Sequence, residues 1–137
     1  MEIEQSINMN KNLAFLVFAI LLLVITTPGC TQKANKVFTE EESLKIARNF
    51  VENSPTYKFD GFDLVHKETT VLKCPSCWQF VFEFKSRHAG YGDRTGKILA
   101  EVITPHTAKV TVTEGRVSSA ILDERWDMIK QEMIGQE

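Results

Sequence analysis

The sequence predicts an α+β fold: an N-terminal amphipathic helix packed on a mainly antiparallel sheet of about five strands, closed by a short C-terminal helix. Three observations carry that expectation. A capped helix start lies at Thr39–Glu42, apolar residues then alternate with period two from Phe62 to Ile121, and helical spacing returns at Trp126, Ile129 and Met133. One helix followed by a run of strands favours segregated α and β elements over a wound parallel sheet.

Each element has a local cause. Thr39 is placed to cap the first helical amides, and Glu42, three residues on, to reach back and close a capping box. The carboxylates of Glu40, Glu41 and Glu42 suit the positive end of the helix dipole, so this acidic cluster reads as a helix start rather than a metal site. Leu44, Ala47, Phe50 and Val51 then share a face, with Ile46 at its margin, and Ser54-Pro55 ends the helix. Phe62, Leu64, His66 and Leu72 alternate with Asp63, Lys67 and Thr69 as a half-buried strand. Trp78, Phe80, Phe82 and Phe84 mark the clearest strand, and their common face must bury against the helix. Three more strands are expected, around Ile98-Ala100-Val102, Ala108-Val110-Val112 and Val117-Ser119-Ile121, the last two joined by a tight turn at Glu114-Gly115.

Composition limits the class of protein. At 137 residues, 43% hydrophobic and 25% charged, the chain suits one globular domain rather than a disordered or collagenous one. A net charge of −2 with no basic run argues against a nucleic-acid partner, which requires clustered cations to neutralise phosphates.

The first thirty residues carry an address. From Leu13 to Ile25 no charged or strongly polar group occurs, a length that fits the apolar core of a secretory signal better than a membrane span. Lys11 supplies the positive flank, and Met9 begins a more typical signal than Met1 does. Thr26-Thr27-Pro28-Gly29-Cys30 resembles the lipobox of prokaryotic lipoproteins, in which the cysteine is diacylated and becomes the new N-terminus. Residues 1–29 are thus expected to be a lipoprotein-type signal peptide, 30–37 a tether, and 38–137 a single domain anchored to the outer face of the cell membrane. Ordinary cleavage and an uncleaved anchor are the other readings. Loss of Glu2, Glu4 and Lys11 with the signal takes the net charge from −2 to −1.

Two stretches have chemistry-bearing residues. Cys74-Pro75-Ser76-Cys77 falls where a turn joins the first two strands, and three readings of it compete. A disulfide suits an exported chain, and it leaves Cys30 as the odd cysteine of three. A zinc knuckle needs two further ligands, for which His66 or His88 is a candidate. A redox pair lacks the helix N-terminus that usually lowers the attacking thiol's pKa. The second stretch, His88 to Gly96, places His88, Tyr91, Asp93 and Arg94 among three glycines. It reads either as a ligand-contacting loop or as a structural one in which Asp93 and Arg94 pair locally. The three histidines, His66, His88 and His106, are scattered. No Ser-His-Asp pattern, HExxH motif or carboxylate pair is evident, which points away from an enzyme.

Thr39 to Val51 resembles the helix that opens PepSY-like domains, Trp78 to Phe84 the strand after it, and Asp93-Arg94-Thr95-Gly96-Lys97-Ile98-Leu99 a turn and strand of that family. The terminal strands also suit a cystatin-like sheet. The resemblance implies an exported or membrane-linked module that binds or inhibits a peptidase, and it brings no catalytic residues. The function expected is therefore a membrane-anchored binding module for a peptide or protein, with free strand edges open to an added strand. A metal-binding or thiol-redox lipoprotein acting through Cys74 and Cys77, with zinc as the metal, is the alternative. A small-molecule sensor using the glycine-rich loop ranks third.

Overall fold

The computed structural model describes residues 36–135. Helix α1 (Glu40–Asn53) and a short helix α2 (Pro55–Asp60) lead into six strands: β1 (Gly61–Val71), β2 (Cys77–His88), β3 (Glu101–Thr113), β4 (Arg116–Leu122), β5 (Trp126–Asp127) and β6 (Glu132–Met133). The strands form one antiparallel sheet in sequence order. The fold is mostly β, with a single long helix near the start of the described residues, so the α+β expectation with a C-terminal helix is overturned.

The α1 start forms for the reasons given above. Thr39 Oγ1 accepts from the Glu42 amide at 3.2 Å, and Glu42 accepts from the Thr39 amide at 3.0 Å. Ala47 and Val51 are fully buried on the face that meets the sheet, with Leu44, Ile46 and Phe50 packed beside them. Ser54 both ends α1 and begins α2, its hydroxyl donating to the Val51 carbonyl at 2.7 Å and accepting from the Tyr57 amide. Pro55 then supplies the first residue of α2, where its missing amide hydrogen costs nothing.

Phe80, Phe82 and Phe84 alternate inward along β2 and meet Ala108, Val110 and Val112 of β3. This covered face is the core. Phe82 sits opposite His66 and Ala108, and the Arg48 guanidinium of α1 lies over its ring at 5.7 Å.

Three sequence expectations fail here, each for a local reason. The strands around Ile98-Ala100-Val102 and Ala108-Val110-Val112 are not two: β3 starts at Glu101 and runs unbroken to Thr113, and Ile98 lies outside it, fully exposed. On β4, Ala120 and Leu122 face inward instead of Ser119 and Ile121. A register shift between Thr111 and Val112 moves the inward set by one residue.

The third failure is the C-terminal helix. Trp126, Ile129 and Met133 do recur at helical spacing, but β5 and β6 form a small hairpin there. The Asp127 carboxylate accepts from the Ile129 and Lys130 amides at 2.9 Å each, closing a turn that competes with a helix. Left-handed backbone at Asp123, Glu124 and Gln131 brackets the segment. The residue that enters the core is Met128, 3% exposed, while Ile129 faces out.

The other face of the sheet carries Gln79, Glu83, Lys85, Lys109 and Thr111, and no element among the described residues covers it. β1 forms one outer edge and is irregular, with register shifts between Phe62 and Val65 and between His66 and Glu68, and a left-handed Asp63. The other edge, β6, is two residues long.

Candidate functional site

Beyond Phe84 the covered face turns from apolar to polar. Ser86 of β2 and His106 of β3 continue the inward alternation, and both are buried. The 88–100 connector folds over them, held by two polar networks.

Arg94 centres the first. Its side chain is 2% exposed and its carbon lies 4.8 Å above the Phe59 ring. Nη1 donates to the carbonyls of His88, Ala89 and Gly90 at 2.9, 3.1 and 2.8 Å. Nη2 donates to Asp60 Oδ1 at 2.7 Å and to the Thr56 carbonyl at 3.3 Å. The second Asp60 oxygen accepts from the His88 amide at 2.8 Å and from His88 Nδ1 at 2.7 Å. One carboxylate at the end of α2 thus anchors both sides of the loop. A buried guanidinium is tolerated because its charge is paired and both Nη groups are used, although Nε is buried without a partner.

The second network joins β2, β3 and the end of β4. His106 Nδ1 donates to Asp123 Oδ2 at 2.7 Å, and Asp123 Oδ1 accepts from the Thr107 amide at 2.7 Å. His106 Nε2 lies 2.9 Å from Ser86 Oγ, which in turn is 2.6 Å from the His88 carbonyl. Tyr91 brings its hydroxyl to the same Asp123 carboxylate. Burial works against the Asp123 charge, yet the His106, Thr107 and Tyr91 hydrogen bonds together hold its carboxyl below the usual carboxylate value. Burial and the neighbouring Asp123 charge push the Tyr91 hydroxyl up, against a smaller opposing effect of Arg125.

Ser86, His106 and Asp123 therefore assemble a Ser-His-Asp array that sequence spacing did not reveal. It is not arranged as a nucleophile. The His88 carbonyl has no hydrogen to give, so the 2.6 Å contact uses the Ser86 hydroxyl hydrogen and leaves none to donate to His106. A nucleophilic serine needs the reverse, its hydroxyl donating to the imidazole. Ser86 is also fully buried. The array ties three strands together.

Of the sequence-predicted loop residues, the structure brings His88 and Arg94 together through Asp60, and turns Tyr91 inward against His106 and Trp126. The Tyr91 and Trp126 rings stack at 5.6 Å. Asp93 stays outside and does not pair with Arg94. Its carboxylate accepts from the Thr95 amide and hydroxyl, which lower its pKa. Gly92 is required: its φ is +71°, and a Cβ there would stand 3.2 Å from the Trp126 ring. Asp60, Thr56, Ser86 and Asp123 were missed. Extending the Thr113–Arg116 pairing outward from the Glu114-Gly115 turn sets His106 opposite Asp123, the signal that finds its partner, and the register shift between Thr111 and Val112 moves that pairing by one residue.

Cys74 and Cys77 are at disulfide distance, with Cα atoms 5.5 Å apart. Neither candidate zinc ligand stands with them: His66 Nε2 is shared by the Glu68 carbonyl and the Thr69 hydroxyl, and His88 by Asp60. Among the described residues no three His, Cys, Asp or Glu side chains are grouped to hold a metal ion. Cys30 and the expected signal peptide lie outside the described residues.

One open feature lies against the uncovered face. A groove of about 580 Å³ is lined by residues 63–65 of β1, 83–85 of β2 and 105–107 of β3, inward-facing Phe84 and His106 among them. Its charges are paired across strands, Lys85 with Asp63 at 3.4 Å and, next to it, Lys67 with Glu83 at 3.2 Å. Val65 is half exposed.

Compared with protein-family models, with curated proteins and with solved structures, the chain matches none. The PepSY-like and cystatin-like resemblances accordingly have no support from these comparisons.

Proposed function

We propose that the chain is an extracytoplasmic binding module, held at its membrane by a lipid on Cys30, that takes a peptide or protein partner on the uncovered sheet face. The observation that supports this reading is the groove lined by Asp63, Val65, Glu83, Lys85, Pro105 and Thr107. It offers apolar contact at Val65 and Pro105 between paired ions of both signs, the mixture that suits a polypeptide more than a lipid or a nucleic acid. The irregular β1 edge is a poor template for an added strand, so the face rather than the edge is the binding surface.

A photoreactive residue at Val65 of the full chain in its native cells tests this. A discrete crosslinked adduct is expected there and not at Lys45, on the far side of α1. A uniform smear at both positions, or no adduct at either, overturns the reading. Fatty-acid labelling that disappears in Cys30→Ala tests the anchor separately.

A further inference from the structure

The Cys74-Pro75-Ser76-Cys77 turn has no part in the proposed binding surface, and its two sulfurs are not equivalent. Cys74 is exposed, whereas Cys77 is 1% exposed. Stapling the turn explains little of the pair. The Leu72 amide already donates to the Cys77 carbonyl at 3.0 Å, and the Glu114 amide to the Ser76 carbonyl at 3.1 Å. The hairpin end is thus closed by backbone, and a disulfide across so short a loop removes little further chain entropy.

We propose that this pair is an exchangeable disulfide that accepts electrons from a dithiol of a partner protein, with Cys74 as the attacked sulfur and Cys77 as the leaving one. A partner thiolate attacks Cys74 Sγ. The Cys74–Cys77 bond breaks as the mixed disulfide forms, and the electron pair leaves on Cys77, which takes up a proton. The partner's second thiolate then attacks its own sulfur in the mixed disulfide, releasing Cys74 as a thiolate that is protonated in turn. The partner ends as a disulfide and this chain as two thiols, so two electrons and two protons have moved.

The structure favours that direction in two ways. Attack is steered by access, and only Cys74 is accessible, with the cationic Lys73 beside it in sequence to draw an incoming thiolate. Once protonated, the Cys77 thiol has an acceptor in place, the Pro75 carbonyl 3.3 Å from its Sγ, which stabilises the reduced product rather than the departing thiolate. Stabilising the reduced form makes a disulfide a better oxidant.

The test needs no substitution. The oxidised full chain, held in detergent, is exposed to reduced glutathione, quenched and alkylated, and its peptides are mapped by mass. Glutathione is expected on Cys74 in about tenfold excess over Cys77, with Cys77 alkylated, as unequal access requires. Equal labelling, an excess on Cys77, or a disulfide that stays intact overturns the proposal. So does purification of the chain as two free thiols holding zinc. Val65 crosslinking is read on a different face, so either idea can fail alone.

Discussion

The two ends of the β2–β3 hairpin use the same strands and the same covered face, yet they are built from different forces. At one end Phe80, Phe82, Val110 and Val112 lie against α1, fully buried and without a polar partner to find. At the other, Ser86 and His106 take the same inward positions and are closed off by Arg94, Asp60, Asp123 and Tyr91. The apolar end is non-directional, and neighbouring shapes of similar volume serve it almost as well. The polar end depends on individual hydrogen bonds whose partners come from distant parts of the chain, so the loss of one strands another.

Removing Arg94 breaks the contrast most sharply. Arg94→Leu leaves the Asp60 carboxylate without its cation and frees the loop carbonyls, and is expected to cost about 3–5 kcal/mol in denaturant unfolding. Arg94→Lys should recover only part of that, because an ammonium does not reproduce the fork that spans four carbonyls and a carboxylate. A full recovery would show that charge alone matters. Phe82→Ala is expected to cost a comparable, slightly smaller amount, about 3–4 kcal/mol, as a cavity under α1.

The polar end should respond to pH, with opposite signs at the two extremes. Asp123 has a folded pKa below its unfolded one. Its stabilisation is therefore present above the unfolded value of about 3.9 and lost as pH falls through the lower folded value. Tyr91 has a raised folded pKa, so its contribution is present below the unfolded value of about 10 and lost as pH rises through the folded one. Stability measured against pH should flatten on the acid side in Asp123→Asn and on the alkaline side in Tyr91→Phe. Unchanged slopes in both would sever the network from the pH response. The smallest expected effect belongs to neither end: Thr39→Ala removes the α1 cap and should cost about 1 kcal/mol by the same unfolding measurement.

What the sequence disclosed follows the same division. The capping box is complete within four residues, and the β2 aromatic stripe repeats every second residue, so both are local signals that survive in the fold. Arg94 carries no such signal, because its partners Thr56 and Asp60 are 38 and 34 residues away. The β4 face was lost to a single register shift, which no periodicity shows. The last segment was lost to ambiguity: Trp126, Ile129 and Met133 fit a helix, and only the Asp127 turn and the pairing of Met128 with Ala120 exclude it. For the candidate site, the cysteine pair was legible from spacing and the groove was not, since it joins three strands.

The two outer edges of the sheet bear on how copies of the chain meet one another. Open sheets polymerise when a long, flat edge of one copy pairs with that of the next. Here β1 is kinked at two places and carries Asp63, Lys67 and Glu68, and β6 ends after two residues. Many copies at high concentration can then remain separate molecules, each keeping its groove and its exposed Cys74 in solvent rather than losing them inside a fibre.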